Sequence, residues 1–266
     1  MTPGDAAGRL LLVGCGNMAG AMLAGWLAAG LDPTRVVAVS PSGRAIPDGV
    51  RVVPAIPDDA FDTILLAVKP QQLARVGPAL VDQRPRLLVS ILAGIDLATL
   101  SDLSHAAIAL RAMPNLPVAV GKGVVALHGP ADAAAQALMT PLGLVEWIDD
   151  EALFDVVTAL AGSGPGFLYR YIDALASAGR ALGLPADQAA RLARATVEGS
   201  ALLAAAADVD PGTLADRVAS PGGSTREGLN VLDRDGALVE LLTGTLRAAA
   251  ARNTAMAAEV RASLRL

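Results

Sequence analysis

A chain of 266 residues has room for one large domain or two ordinary ones, each with a buried core. Hydrophobic residues make up 53% and charged residues 18%, which excludes a disordered chain, and with aromatics at 3% the cores must be built from Ala, Leu and Val. The formal net charge of −5 comes with no basic stripe, so no nucleic-acid partner is expected.

Residues 1–8 lack the positive and apolar regions of a secretory signal. Runs of β-branched and aliphatic residues then alternate with helical stretches. Residues 9–13 read as a strand, 17–29 as a helix and 36–40 as a second strand. Further strands are predicted at 51–53, 63–68, 87–91 and 107–111, with weaker ones at 124–127 and 145–148. Nearly continuous apolar strands separated by helices indicate a parallel sheet covered on both faces. The pattern changes at Asp149-Asp150-Glu151, and no strand signal follows. Helices are predicted over 151–161, 164–182 and 186–207, with Gly183-Leu184-Pro185 as a stop and restart and 208–212 as a break. Two or three more helices complete the chain. The boundary therefore falls near 150, giving an α/β domain over 1–150 and an all-helical one over 151–266. The apolar stretches are interrupted by Gly, Pro or charge before membrane-spanning length. Cys15 is the single cysteine, so no internal disulfide can form. These features predict a cytoplasmic protein with no membrane partner.

Directly after the first strand stands Gly14-Cys15-Gly16-Asn17-Met18-Ala19, a G-x-G-x-x-A turn that opens a helix. Gly14 permits the tight turn and Gly16 lets backbone approach a pyrophosphate. Ala19 keeps helix and strand close, and the helix start offers N–H groups to phosphate. Such turns also occur without ligands; the strand–turn–helix–strand context, with Val13 ending the strand, favours a dinucleotide. An NAD site usually carries an acidic residue at the end of the second strand. Here the sequence reads Val39-Ser40-Pro41-Ser42-Gly43-Arg44, with no carboxylate to repel a 2′-phosphate. Ser40 and Ser42 can donate hydrogen bonds and Arg44 can add charge, so NADPH is favoured and NADH remains possible. The alternative is an ordinary polar turn with a solvated Arg44. Other strands end in Ala67-Val68-Lys69-Pro70, in Leu92-Ala93-Gly94 and in Asn115, all where a doubly wound sheet lines its ligand crevice.

Two clusters of small residues interrupt the helical half, one at Ala161-Gly162-Ser163-Gly164-Pro165-Gly166 and one at Ser220-Pro221-Gly222-Gly223-Ser224-Thr225. Each puts backbone N–H groups and hydroxyls at a helix start, which suits a carboxylate ligand. Each can also be read as a capped loop, with Thr225 and Glu227 as a candidate cap.

The second cluster, together with Pro211-Gly212, Gly228-Leu229 and Leu232-Asp233, resembles the signature of the pyrroline-5-carboxylate reductase family. Gly14 to Met18, Ala67 to Pro70, Arg111-Ala112-Met113-Pro114-Asn115 and Gly162 to Pro165 match that family in the same order, over about residues 9 to 255. The resemblance implies a Rossmann-type doubly wound sheet followed by an all-α C-terminal domain that interleaves with a second subunit, so that a homodimer, or an assembly of dimers, is the active form. It implies hydride transfer from NADPH or NADH to the imine carbon of 1-pyrroline-5-carboxylate, giving L-proline in the last step of proline biosynthesis. Carried over by position, Ser220, Gly222, Gly223 and Ser224 hold the substrate, and the Thr225 hydroxyl meets the imine nitrogen. Ser220 and Thr225 are then the catalytic candidates, with Glu151 and Asp208 on the substrate side. Asp208 replaces a more usual Glu, Leu116 a Thr, and Gly166-Phe167 an Ala-Tyr pair; Pro54 stands where a polar residue is common. These departures bear on substrate breadth and cofactor preference.

A protonated cyclic imine is already electrophilic, so no metal and no covalent nucleophile is expected. His105 and His128 lie outside every motif and read as surface or packed residues. A β-hydroxyacid dehydrogenase would need a lysine on the crossing helix, and residues 158–173 contain none. Two alternatives stay open: a reductase of a related cyclic imine, and a catalytically silent NADP-binding regulatory protein.

Overall fold

A computed structural model describes residues 2–40 and 46–264. Eight strands form, β1 (Leu10–Val13), β2 (Val36–Val39), β3 (Arg51–Val53), β4 (Thr63–Leu66), β5 (Leu87–Ser90), β6 (Ile108–Pro114), β7 (Gly123–His128) and β8 (Gly143–Trp147). They make one sheet in the order β3-β2-β1-β4-β5-β6-β7-β8. Strands β1 to β6 run parallel; β7 is antiparallel to β6, and β8 is parallel to β7. Every residue of β1, β2, β4 and β5 is buried, as a sheet covered on both faces requires.

The strand period of two sorts side chains between two cores. Leu10 and Leu12 join Met22, Trp26 and Leu138 on one face. Leu11 and Val13 join Phe61, Leu73, Leu80 and Leu88 on the other. Trp26 settles its only polar atom by donating from Nε1 to the carbonyl of Leu138 at 2.7 Å. Five helices belong to this half, α1 (Pro3–Ala7), α2 (Asn17–Ala28), α3 (Leu73–Leu80), α4 (Leu97–Leu103) and α5 (Ala133–Met139). Asp96 and Asp132 cap α4 and α5 by accepting from the N–H groups of Thr99 and Ala135.

Three local readings differ from the sequence expectation. Residues 2–8, read only as lacking a signal, hold α1, closed by a reciprocal cap between Thr2 and Asp5. Strand β6 continues to Pro114 because Ala112, Met113 and Pro114 pair with β7, beyond Arg111, the last residue paired with β5. The predicted helix over 151–161 is a 3-10 turn Glu151–Leu153, a helical turn α6 (Phe154–Val157) and a π-helical turn Thr158–Gly162.

After it come α7 (Gly164–Ala181), α8 (Ala186–Ala205), α9 (Pro211–Arg217), α10 (Ser224–Leu232) and α11 (Ala237–Leu264). By its internal contacts the chain divides into two units: residues up to Pro165 together with the chain from Ala248, and Gly166–Arg247. The first is the Rossmann-type sheet with its helices, and the C-terminal end of α11 belongs to it. There Ala257 packs on Gly94, where a Cβ would lie 2.7 Å from the Ala257 Cα, and Thr254 donates to Asp155 at 2.7 Å. The second unit is helical throughout, and in it only Ala189, Ala193 and Ala219 are buried among the described residues. Leu202, Leu203, Val239, Leu241 and Leu242 are among its exposed aliphatic side chains. The stretch Glu151–Ala181 is long and apolar enough by length and composition to cross a membrane, although it is interrupted by the π turn and Pro165. That qualifies the expectation that no apolar stretch reaches such length.

Candidate active site

The order in which strands are added reverses at β1, with β2 and β3 on one side and β4, β5 and β6 on the other. Ligands of open α/β sheets bind at this switch point, outside the carboxyl ends of the strands. A cavity of about 520 Å³ lies there, lined by Val13, Gly14, Cys15, Gly16, Ser40, Ala67, Val68 and Lys69 of the predicted residues. A smaller hollow of about 290 Å³ continues past the turn, along Asn17 and Gly20 to Ile46 and Pro47. Helix α2 starts from Gly16, which brings no side chain to cap the first turn. A Cβ on Gly16 would meet nothing within 4 Å, so the backbone there is open to a ligand. Both observations fit a pyrophosphate, which would take the place of the missing cap.

Arg75, Gln72, Ala55 and Ile56 also line the larger cavity and were not anticipated, and so does Pro54, which the resemblance puts where a polar residue is common. The α3 residues escaped because a helix crossing the sheet has no motif that marks its ligand-facing side. Ser42 and Arg44 lie outside the described residues. Met18 follows in α2, and Pro70 opens the turn after Lys69. Leu92, Ala93 and Gly94 follow β5 at the same sheet edge. Leu92 is buried in the core, and Gly94 is in contact with α11. Asn115, at the end of β6, is 7% exposed and gives its amide to backbone groups: Nδ2 donates to the Ala161 carbonyl at 3.0 Å and Oδ1 accepts from Val124 N–H at 2.8 Å.

Glu151 also belongs to this unit. Its carboxylate accepts from Arg111 at 2.7 Å and from the Leu97 N–H at 3.1 Å, and lies 3.9 Å from His128 Nε2. Arg111 is 6% exposed and lies 4.3 Å over the Phe154 ring, with its Nε unpartnered. A hollow of about 300 Å³ opens beside the pair, bounded by Asp96, Asp155 and Ala257. His128 is fixed by a 2.7 Å contact from Nδ1 to the Ile148 carbonyl, whereas His105 is exposed at the opposite sheet edge beside Arg9 and Arg84.

The remaining predicted residues lie in the helical unit. Asp208 is exposed between α8 and α9. Asp210 caps α9 through Thr213, whose hydroxyl and N–H hold the Asp210 carboxyl below the usual carboxylate range. After α9 the chain turns through Ser220 to Gly223, closed by Gly223 N–H donating to the Ser220 carbonyl at 2.9 Å, with Gly222 at φ +70°. Helix α10 then begins at Ser224 with Gly223 as its N-cap and no side-chain cap bond. Thr225 is therefore in the first turn of α10 and is not its cap, and Ser220, Ser224 and Thr225 are exposed. An uncapped first turn flanked by three exposed hydroxyls can take a carboxylate and donate to a neighbouring nitrogen.

Known proteins carry the same two halves. The family model for pyrroline-5-carboxylate reductase dimerisation matches residues 151–256, and one described as NADP oxidoreductase, coenzyme F420-dependent, matches 9–94. A pyrroline-5-carboxylate reductase of Pseudomonas aeruginosa is 34% identical over 95% of this chain and 98% of that protein. One of Pisum sativum is 35% identical over 89% and 92%. The solved structure of a pyrroline-5-carboxylate reductase from Coxiella burnetii superposes with a TM-score of 0.79 at 30% identity, covering 95% of this chain and 98% of that one. With a cavity at its switch point, an uncapped hydroxyl-rich helix start, and relatives matched nearly end to end, the chain belongs to the pyrroline-5-carboxylate reductase family.

Proposed function

We propose that this chain reduces 1-pyrroline-5-carboxylate to L-proline with NADPH, NADH serving less well, as the last step of proline biosynthesis. The observation that carries the reading is the end-to-end match to reductases of that name, supported by an open cavity at the glycine turn in the same chain. In this reading 1–150 is the dinucleotide domain and 151–266 the substrate and dimerisation domain. Val13 to Met18 and Ser40 hold phosphates and ribose, with Ser42 and Arg44 beside the 2′-phosphate. Lys69 and Arg75 bring two cations to the cleft. Ala67, Val68, Pro70 and Leu92 to Gly94 wall its other end.

When bound, the dinucleotide supplies a hydride to the imine carbon. The chain supplies orientation and a proton environment. Gly222, Gly223, Ser224 and the first turn of α10 hold the carboxylate, and Thr225 donates a hydrogen bond to the ring nitrogen, with Ser220 beside it. The C=N double bond becomes a C–N single bond as hydride reaches carbon and the nitrogen takes a proton that the Thr225 hydroxyl relays from solvent. Because the protonated imine is electrophilic in itself, alignment can supply much of the barrier reduction and no metal is required. Glu151 and Asp208 act on the substrate side. The exposed aliphatic surface of the helical unit is covered by a second copy, in a homodimer or an assembly of dimers, and the protein is cytoplasmic.

The test is loss of nicotinamide absorbance on mixing protein, NADPH and pyrroline-5-carboxylate, repeated with NADH and with a six-membered cyclic imine. Steady oxidation with the five-membered substrate supports the assignment. Preference for the six-membered ring indicates a related imine reductase, and NADPH binding without oxidation indicates a silent regulatory protein. Thr225→Val should lower kcat by about 10²-fold, the scale of one positioned proton donor, with little change in NADPH affinity. An unchanged kcat removes Thr225 from the mechanism.

A further inference from the structure

A carbonyl in a regular helix accepts from the N–H four residues ahead. For Ala161 that position is Pro165, which has no N–H to give. The Ala161 carbonyl is met from outside the helix by Asn115, 46 residues earlier, whose Nδ2 donates to it at 3.0 Å. Asn115 is itself held in place by the Val124 N–H, which donates to Oδ1 at 2.8 Å.

The backbone before Pro165 is also unusual. Residues Thr158–Gly162 form a π turn, closed by Ser163 N–H donating to the Thr158 carbonyl at 2.9 Å. Such turns concentrate at functional sites. Thr158 is buried and donates to the Phe154 carbonyl at 2.7 Å. Gly162 rests on β6: a Cβ there would lie 3.4 Å from Met113. Two residues at the carboxyl end of β6, Met113 and Asn115, therefore grip the turn that carries Ser163. Strand β6 is parallel to β1, β4 and β5, so this grip lies at the same sheet edge as Gly14 and Lys69. The cavity runs from Ser40 and Pro54 beside β2 to Ala67, Val68 and Lys69 beyond the end of β4. A dinucleotide spanning the switch point puts its other half toward β5 and β6.

We propose that Asn115 is a positioning residue, whose amide makes the hydrogen bond Pro165 withholds from Ala161 and thereby fixes the Gly162-Ser163-Gly164 turn at the nicotinamide side of the cleft. The placement rests on the reductase reading above. Asn115 then acts through the turn and not by touching the dinucleotide. Hydride transfer is sensitive to displacements of about 1 Å, so loosening this turn lowers turnover more than it lowers cofactor affinity.

The experiment is a double-mutant cycle on the full chain with Asn115→Ala, Pro165→Ala and the pair, measuring kcat, KM, NADPH affinity and hydrogen exchange at the Ser163 amide. Loss of the Val124 bond is common to both arms and cancels. We expect Asn115→Ala to lower kcat by about tenfold when Pro165 is present. In the Pro165→Ala background, where the substituted alanine offers its own N–H, the loss should be less than about threefold. Ser163 exchange should accelerate in the same pattern. Equal factors in the two backgrounds overturn the proposal. Asn115→Asp provides the second arm: it keeps the acceptor for Val124 but can donate to Ala161 only when protonated. Its kcat relative to wild type should rise as pH falls, and a flat ratio overturns the proposal even if Asn115→Ala does not fold. Should the wild type not reduce the imine, the reductase reading fails, while the exchange pattern at Ser163 still decides the Asn115–Pro165 coupling.

Discussion

Gly14 has φ +94°, and a Cβ there would lie 2.9 Å from the carbonyl oxygen of Ala67, so neither conformation nor space admits a side chain. Gly16, two residues on, meets nothing within 4 Å. The first glycine is thus required by the fold, whereas at the second the fold leaves room for a side chain. Gly16→Ala should keep stability within about 1 kcal/mol, the scale of an N-cap change. Its NADPH affinity should fall by at least about tenfold, because a methyl group enters the pyrophosphate path. Titration of NADPH fluorescence alongside a thermal melt checks this, and unchanged affinity would remove the phosphates from this turn. Gly14→Ala should lower both, by about 1–3 kcal/mol in stability. At this scale the sequence was most readable, since a glycine motif encodes local backbone geometry. Arg75 and Asn115 were less so. Arg75 comes to the cleft through the path of α3, and the hydrogen-bond role of Asn115 depends on a proline far along the chain.

Among the elements, the parallel strands could be read because a strand buried on both faces leaves an unbroken aliphatic run, as in Leu10–Val13 and Leu87–Ser90. The stretch from Glu151 to Gly162 could not be read as three different turns, since apolar spacing scarcely separates α from π over so few residues. Nor does spacing show that Glu151 joins Arg111, a residue of β6, across 40 positions of sequence. That contact ties the start of the helical run to the sheet. Removing one partner of a fully buried pair costs about 3–5 kcal/mol. Glu151 is a third exposed, so water softens the loss, and Glu151→Ala should cost about 2 kcal/mol. A denaturant melt reads that cost, and KM for the imine reads the alternative. A raised KM with unaltered stability would make Glu151 a ligand residue and not a strut.

For the whole molecule the two units bury apolar surface very unequally. The sheet unit holds two continuous cores, whereas the helical unit exposes Leu203 at 66% and Leu241 at 67% with only three alanines buried among the described residues. A helical layer with so little core is stabilised by a partner, and Gly166–Arg247 lies within the stretch matched by the dimerisation model. Glu151–Ala181, which exposes Leu160, Leu168 and Leu175 in addition, has a membrane-like composition, so a self-association interface and a lipid-facing helix make opposite predictions. Leu241→Asp puts a charge on a side chain the single chain already exposes, so it leaves the sheet unit folded. With a second copy as the partner, this change should lower the sedimenting mass at micromolar concentration to that of one chain and make activity fall on dilution. Wild-type protein should keep its mass, and its melting temperature should rise with protein concentration. A Leu241→Asp protein of unchanged mass would place the interface elsewhere on the helical unit. Wild-type protein that sediments as one chain without detergent would remove self-association altogether and leave the exposed leucines to a different partner.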